Sequence, residues 1–297
     1  MAKHIVFVLL FFGVMPLKGQ ILPPDSVYHP KRLTAVVAIE GTLYVGSFAG
    51  LYAAWYSDYA TGDFHLFNDN AEWLQVDKAG HSTTSYFLGK IGYDMLRWSG
   101  VREDMSLIFG GGLGFIYQST VEVFDGFSRG WGFSWGDMAA NAFGTALFIG
   151  QQAGWKEQRF SLKFSYHSTG FPQYRPELLG ETALQSLLKD YNGQTYWLSA
   201  NIASFLPAGT RFPQWLNVAF GYGADGMLGG FDNPADPGIP QFDRYRQYYL
   251  SLDVDLTRIP VKNKVLKSVL NIISFIKVPF PAVEFNKNGV DFHPLYF

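Results

Sequence analysis

The sequence predicts an α+β protein, an N-terminal bundle of about four apolar helices followed by an antiparallel β-sheet or small incomplete barrel. Long apolar stretches interspersed with small residues run as far as Trp155. From Phe160 onward, apolar and polar residues alternate with a period of two, the mark of strands with one covered face. Charged residues make up 16% and aromatic residues 18% of the chain, against about 25% charged in ordinary soluble domains, a balance that suits contact with lipid.

At the start, Lys3 precedes an apolar run from Ile5 to Met15 and a polar break from Pro16 to Gln20. That is the layout of a secretory signal peptide over 1–20, too short to cross a bilayer as a helix. The expected organisation is therefore a signal peptide at 1–20, a helical module at 21–155 and a β-rich region with two short helices at 156–297.

The helical module opens with a proline-bearing lead-in at 21–30, expected to be extended. The stretch Lys31–Tyr56 is long enough to span a membrane, yet its Gly41, Gly46 and Gly50 fit close helix packing equally well. Asp58–Asn70 reads as a loop. Further helices are expected at 77–98, 103–125 and 135–153, the last capped by Ser134 with Asp137 three residues on, a variant capping box. Gly110, Gly111, Gly112 and Gly114 would each weaken an isolated helix by about 1 kcal/mol, so that segment is either a tightly packed helix or a strand.

In the β-rich region, five strands are expected at 158–168, 195–206, 214–224, 246–257 and 283–297, with helices at 181–190 and 264–276. Five strands are fewer than the eight a single-chain membrane barrel needs. In the fourth, Tyr248, Leu250, Leu252 and Val254 share the apolar face, and Ser251, Asp253, Asp255 and Thr257 the other, expected to be wet. Pro294 in the last fits only an edge strand. Trp197, Trp215, Tyr248 and Tyr249 read as interfacial anchors or core. Lys189–Gly193 reads as a helix end with positive φ at Asn192 or Gly193.

Composition also excludes function classes. There is no cysteine, hence no disulfide, thiolate metal site or lipid-bearing thiol in this sequence. A formal charge of -2 gives no basic footprint for nucleic acid, which is not expected as a partner. The phosphate loop, the GxSxG elbow and the HExxH motif do not occur.

The informative polar residues lie between 72 and 144. Asp77 and His81 are four apart with Lys78 beside them, Glu122 and Asp125 are three apart, and Asp137, Asn141 and Gly144 line one helix face. Ionisable residues on apolar helices should converge, because unpaired burial is costly. Two readings stay open. In one, His81, Asp77, Glu122, Arg129, Asp137 and Asn141 form a buried network that fixes helix register. In the other, His81 is a general acid or base, Asp77, Glu122 and Asp137 are orienting carboxylates or metal ligands, and Lys78, Asp125, Arg129 and Asn141 complete a site for a lipid head group or a metal. Neither the metal nor any cofactor is specified by these residues. His65, His167 and His293 lack a partner at ligand spacing and read as surface or strand residues.

The stretches Asp77–His81, Glu122–Arg129 and Asp137–Gly144 resemble the YfiM-type envelope family of unknown function and more distantly the VanZ-like membrane family, and the runs at 131–144 and 187–199 resemble the long Bacteroidetes form of the former. That resemblance covers about residues 70–155. It implies an envelope protein without an established activity, and the lipidated cysteine of the short members has no counterpart here. The expectation is an exported protein at the outer membrane of a diderm bacterium, or on its periplasmic face, that binds membrane lipid or an envelope protein. The alternatives are a hydrolase or transferase acting on a lipid-linked or glycolipid substrate, and a small plugged barrel.

Overall fold

The computed structural model describes residues 24–52, 61–207 and 209–297. The expected signal peptide, the end of the first long helix and the start of the following loop lie outside them. The fold is α+β, with helices first and then a six-stranded antiparallel sheet. The chain divides into two compact units, one comprising Ala71–Gly80 with Arg159–Phe297, the other the residues up to Asn70 with His81–Gln158.

The helical unit contains α1 (Pro30–Leu51), most of α2 (Val76–Trp98), α3 (Leu113–Gly126) and α4 (Trp135–Trp155). Pro30 starts α1, where its missing N–H and fixed φ cost nothing. The start of α1 is tied down by His29 N donating to Ser99 O at 2.9 Å and by Asp25 accepting from Arg32 at 2.9 Å. Further along, Tyr44 and Thr120 share a hydrogen bond of 2.6 Å and Tyr117 donates to Ser47 at 3.1 Å, fastening α1 to α3.

Of the two options for the glycine-rich segment, the tightly packed helix holds. It runs as a turn at Glu103–Met105, a π-helical stretch at Ser106–Gly110 and then α3. A Cβ at Gly110 would come within 2.5 Å of the Gly92 backbone, and one at Gly114 within 2.1 Å of Ser85 O. The absent side chains thus let α2 and this segment touch backbone to backbone, and that contact offsets the poor helix propensity.

The sheet unit orders its strands β1 (Phe160–Tyr166), β2 (Gln194–Asn201), β3 (Leu216–Asp225), β4 (Tyr245–Val254), β5 (Phe280–Asn286) and β6 (Gly289–Tyr296) in sequence, each antiparallel to the next. Between them lie α5 (Ala183–Lys189) and α6 (Lys264–Ile272). The count corrects the expected five strands, because 283–297 is a hairpin rather than one strand. Its turn is Lys287–Asn288, with Asn288 N donating to Asn286 Oδ1 at 2.8 Å and Gly289 at φ 145°. Asn-Gly is a hairpin signal that the long-strand reading passed over. The sheet does not close into a barrel among the described residues. Pro294 falls on edge strand β6, where the register slips between the pairs Ala282–His293 and Phe280–Tyr296.

The expected positive φ near Lys189–Gly193 is absent, since Asp190 instead caps a 3-10 turn, accepting from Asn192 N at 3.2 Å. A left-handed turn occurs at Trp73, Leu74 and Gln75, with φ of 47°, 49° and 67°. Left-handed backbone costs such residues roughly 1–2 kcal/mol each. It is held by Trp73 N donating to Gly230 O at 2.7 Å, by Arg246 donating to Gln75 Oε1 at 2.6 Å and by Tyr222 Oη donating to Leu74 O.

Candidate functional site

Within the helical unit, α2, α3 and α4 bring together His81, Glu122, Asp137 and Asn141, which are 4%, 1%, 4% and 0% exposed. His81 Nε2 lies 3.8 Å from Glu122 Oε1 and 3.6 Å from Asp137 Oδ1. On the other side of the ring, Nδ1 is 3.0 Å from Asn141 Oδ1 and 3.3 Å from Gln118 Nε2. An amide oxygen can only accept, so the shorter Asn141 contact puts the proton on Nδ1 and turns Nε2 toward the carboxylates, and Gln118 Nε2, itself a donor, then touches Nδ1 without a hydrogen bond. Ser85 Oγ also donates to Asn141 Oδ1, at 3.3 Å, fixing that amide.

The cap of α4 explains why Asp137 faces this cluster. Ser134 Oγ accepts from Asp137 N at 3.1 Å, as expected of an N-cap. The return bond of the capping box comes from a different helix, because Ser134 N donates to Glu122 Oε2 at 3.2 Å. Glu122 thereby takes the place of the usual N3 carboxylate, leaving the Asp137 side chain to approach His81. Ser134 Oγ in turn donates to Asp69 Oδ1 at 2.5 Å. Helix contact at the cluster is close, since a Cβ at Gly144 would come within 2.0 Å of Ser82 O.

Asp77 and Lys78, at the start of α2, belong to the sheet unit, where Lys78 Nζ sits 3.0 Å from Asp77 Oδ2. Burial and the nearby Asp77 push the Tyr196 phenol up. Asp125 is buried near the end of α3, and its carbonyl accepts from Ser128 N at 3.0 Å. Arg129 is exposed, with its stem against Gly62, which corrects the expectation that it joins a buried network. A guanidinium on the surface keeps its hydration without needing a buried partner. His293, expected to lack a partner, lies 2.8 Å from Glu284.

The sheet corrects the expectation about its faces. Cross-strand partners share a face. One row runs Leu162, Leu198, Phe220, Leu250, Val283, Phe292, and the next Phe164, Tyr196, Tyr222, Tyr248, Phe285, Val290. Neither row carries a charge, yet Phe220 is 55% and Phe292 67% exposed. The opposite face, expected to be wet, holds Lys163, Ser199, Asn217, Asp253 and Glu284, all buried. Trp197 and Tyr249 are on that inner face too, packed with Ala219, Ala282 and Tyr296. They are core residues, not interfacial anchors. The segment after α6 contributes to the cover, with Lys277 N donating to Phe164 O at 2.9 Å and Lys277 Nζ 4.7 Å from the Trp197 ring centre. Inside, Lys163 and Asp253 pair at 2.6 Å, and Ser199 donates to Asp253 at 2.6 Å.

Residues 63–150 match the model of a family described as a predicted periplasmic lipoprotein (DUF2279). The match takes in His81, Glu122, Asp137 and Asn141 and supports an exported, cell-envelope location. No curated protein and no solved structure matches the chain.

Proposed function

We propose that this is an outer-membrane-associated envelope protein that docks on lipid through the apolar face of its sheet. The observation that carries the reading is the inverted sheet, with charges sealed inside and an uncharged apolar face that is covered at Leu162, Phe164 and Tyr196 but left toward the surroundings from Phe220 and Leu250 to Phe292. A soluble sheet covers its apolar face, whereas a lipid-facing one presents it outward. From Tyr248 to Val254 the apolar band on β4 is about 20 Å long at ~3.4 Å per residue. Arg246 at one end and Arg258 beyond the other bound it with charge. Six strands leave two sheet edges whose backbone groups hydrocarbon would not satisfy, so the face lies in one leaflet's interface rather than spanning it. In the helical unit, α1 is 22 residues long, apolar enough to cross a membrane by length and composition, and largely exposed. The motifs that resemble the YfiM type lie inside the matched span and support the same envelope role.

The test uses the absence of native cysteine. Phe220→Cys, Leu250→Cys, Phe292→Cys and, as an exposed control, Gln241→Cys are made singly in the full chain. In vesicles of phosphatidylethanolamine and phosphatidylglycerol, the first three should resist a membrane-impermeant maleimide while position 241 reacts. Equal labelling at all four positions would overturn the reading.

A further inference from the structure

We infer that His81, Glu122 and Asp137 bind one divalent transition-metal ion inside the helical unit, a site whose existence does not depend on the lipid reading. One ligand atom from each lies within 4.8 Å of the other two. The separations are the first argument. At 3.6 and 3.8 Å, His81 Nε2 is too far from either carboxylate for a hydrogen bond, which for N–H···O falls at about 2.7–3.2 Å. Donors that share an ion at about 2.0–2.2 Å stand roughly 3–4 Å apart, which is the spacing of His81 Nε2 from each carboxylate.

The second argument is the orientation of the ligands. A metal-bound histidine hands its other ring proton to a carbonyl or carboxylate oxygen, and Asn141 Oδ1 occupies that position at 3.0 Å. Glu122 accepts from Ser134 N through Oε2, and its Oε1 lies 3.8 Å from His81 Nε2. Asn141 is wholly buried, and its Nδ2 finds no hydrogen-bond acceptor among the described residues. A buried amide donor beside the ligand histidine calls for an oxygen that the described residues do not supply, and a water held by the ion is one. Three protein ligands leave room for such a water. One imidazole and two carboxylates favour manganese, iron or zinc over calcium or magnesium, which prefer all-oxygen sets.

The experiment takes the full chain in mild detergent, strips it with chelator and titrates it with Mn2+ alone and Zn2+ alone. The expected result is one ion per chain by elemental analysis, with the melting temperature rising as the ion is added. Bound Mn2+ should show coupling to an imidazole nitrogen in electron spin-echo spectra, and His81→Gln should abolish that coupling. Glu122→Gln and Asp137→Asn should weaken binding at least tenfold, and Asn141→Ala about 10- to 100-fold. Circular dichroism of each variant separates loss of the site from loss of the fold. A folded wild-type chain that takes up neither ion, or imidazole coupling that survives in a folded His81→Gln variant, overturns the inference.

Discussion

Lys277 shows what burying charge behind an apolar sheet entails. The residue is 1% exposed, and its ammonium donates to Ser251 Oγ at 3.1 Å and to Val278 O at 2.9 Å, within the field of the Asp253 carboxylate that Lys163 pairs with. Burial pushes its pKa down from 10.5 to about 8, with Asp253 opposing the shift and Lys163 adding to it. Below pH 8 both folded and unfolded chains carry the proton, and the folded state bears the full penalty. Between about pH 8 and 10 the folded chain releases it first, so the unfolded chain binds more protons and stability rises with pH. The wild type should therefore gain up to about 3 kcal/mol across that window relative to Lys277→Met. Urea unfolding of both proteins at pH 7, 8, 9 and 10 measures the difference, and parallel curves would show that Lys277 is solvated. None of this was visible in the sequence, where Lys163 and Asp253 look like ordinary members of a wet face. Alternation states which residues share a face; it does not state which face is covered.

At the level of elements, helix contact is set by where side chains are missing. Gly114 and Gly144 sit against the carbonyls of Ser85 and Ser82 on α2, whereas a Cβ at Gly150, on the same helix as Gly144, would meet nothing within 4 Å. The same substitution should thus act with opposite signs. Gly150→Ala should stabilise by up to about 1 kcal/mol through helix propensity. Gly114→Ala and Gly144→Ala should each destabilise by roughly 2–3 kcal/mol or more, because backbone must move to admit a methyl group. Thermal melts of the three variants decide it, and equal effects at Gly144 and Gly150 would mean that α2 and α4 do not touch. The helices themselves were legible from apolar runs and the Ser134 cap, and so was the demand that the glycine segment pack tightly. The partner of the cap was not, because the Glu122 carboxylate reaches Ser134 N from another helix, and local spacing reveals only Asp137. Likewise, convergence of His81 with Glu122, Asp137 and Asn141 follows from the cost of burial, while the exposed Arg129 shows that lying in the same motif does not place a residue in the same cluster.

For the whole molecule, the sign of the hydrophobic effect differs between folding and docking. Phe220 is already more than half exposed in the folded chain, so replacing it removes little that folding gained, and the same holds for Leu252, 44% exposed. If the exposed half of these side chains enters lipid, each contributes roughly 0.7–1.5 kcal/mol to partitioning, a factor of about 3 to 13 in affinity. Threonine keeps strand propensity while removing most of the apolar area. Phe220→Thr and Leu252→Thr should therefore leave unfolding free energy within about 0.5 kcal/mol of wild type, as surface substitutions do. Each should lower partitioning onto phosphatidylethanolamine and phosphatidylglycerol vesicles by about three- to tenfold. Because they lie on β3 and β4 with Cα atoms in diagonal register, the double variant should lose close to the product of the two factors, provided one flat face enters the lipid as a unit. Vesicle flotation across a lipid titration gives the partition coefficients, and chemical unfolding in parallel gives stability. The opposite pattern, a loss of 2 kcal/mol or more in stability with partitioning unchanged, would mean that protein rather than lipid covers this face.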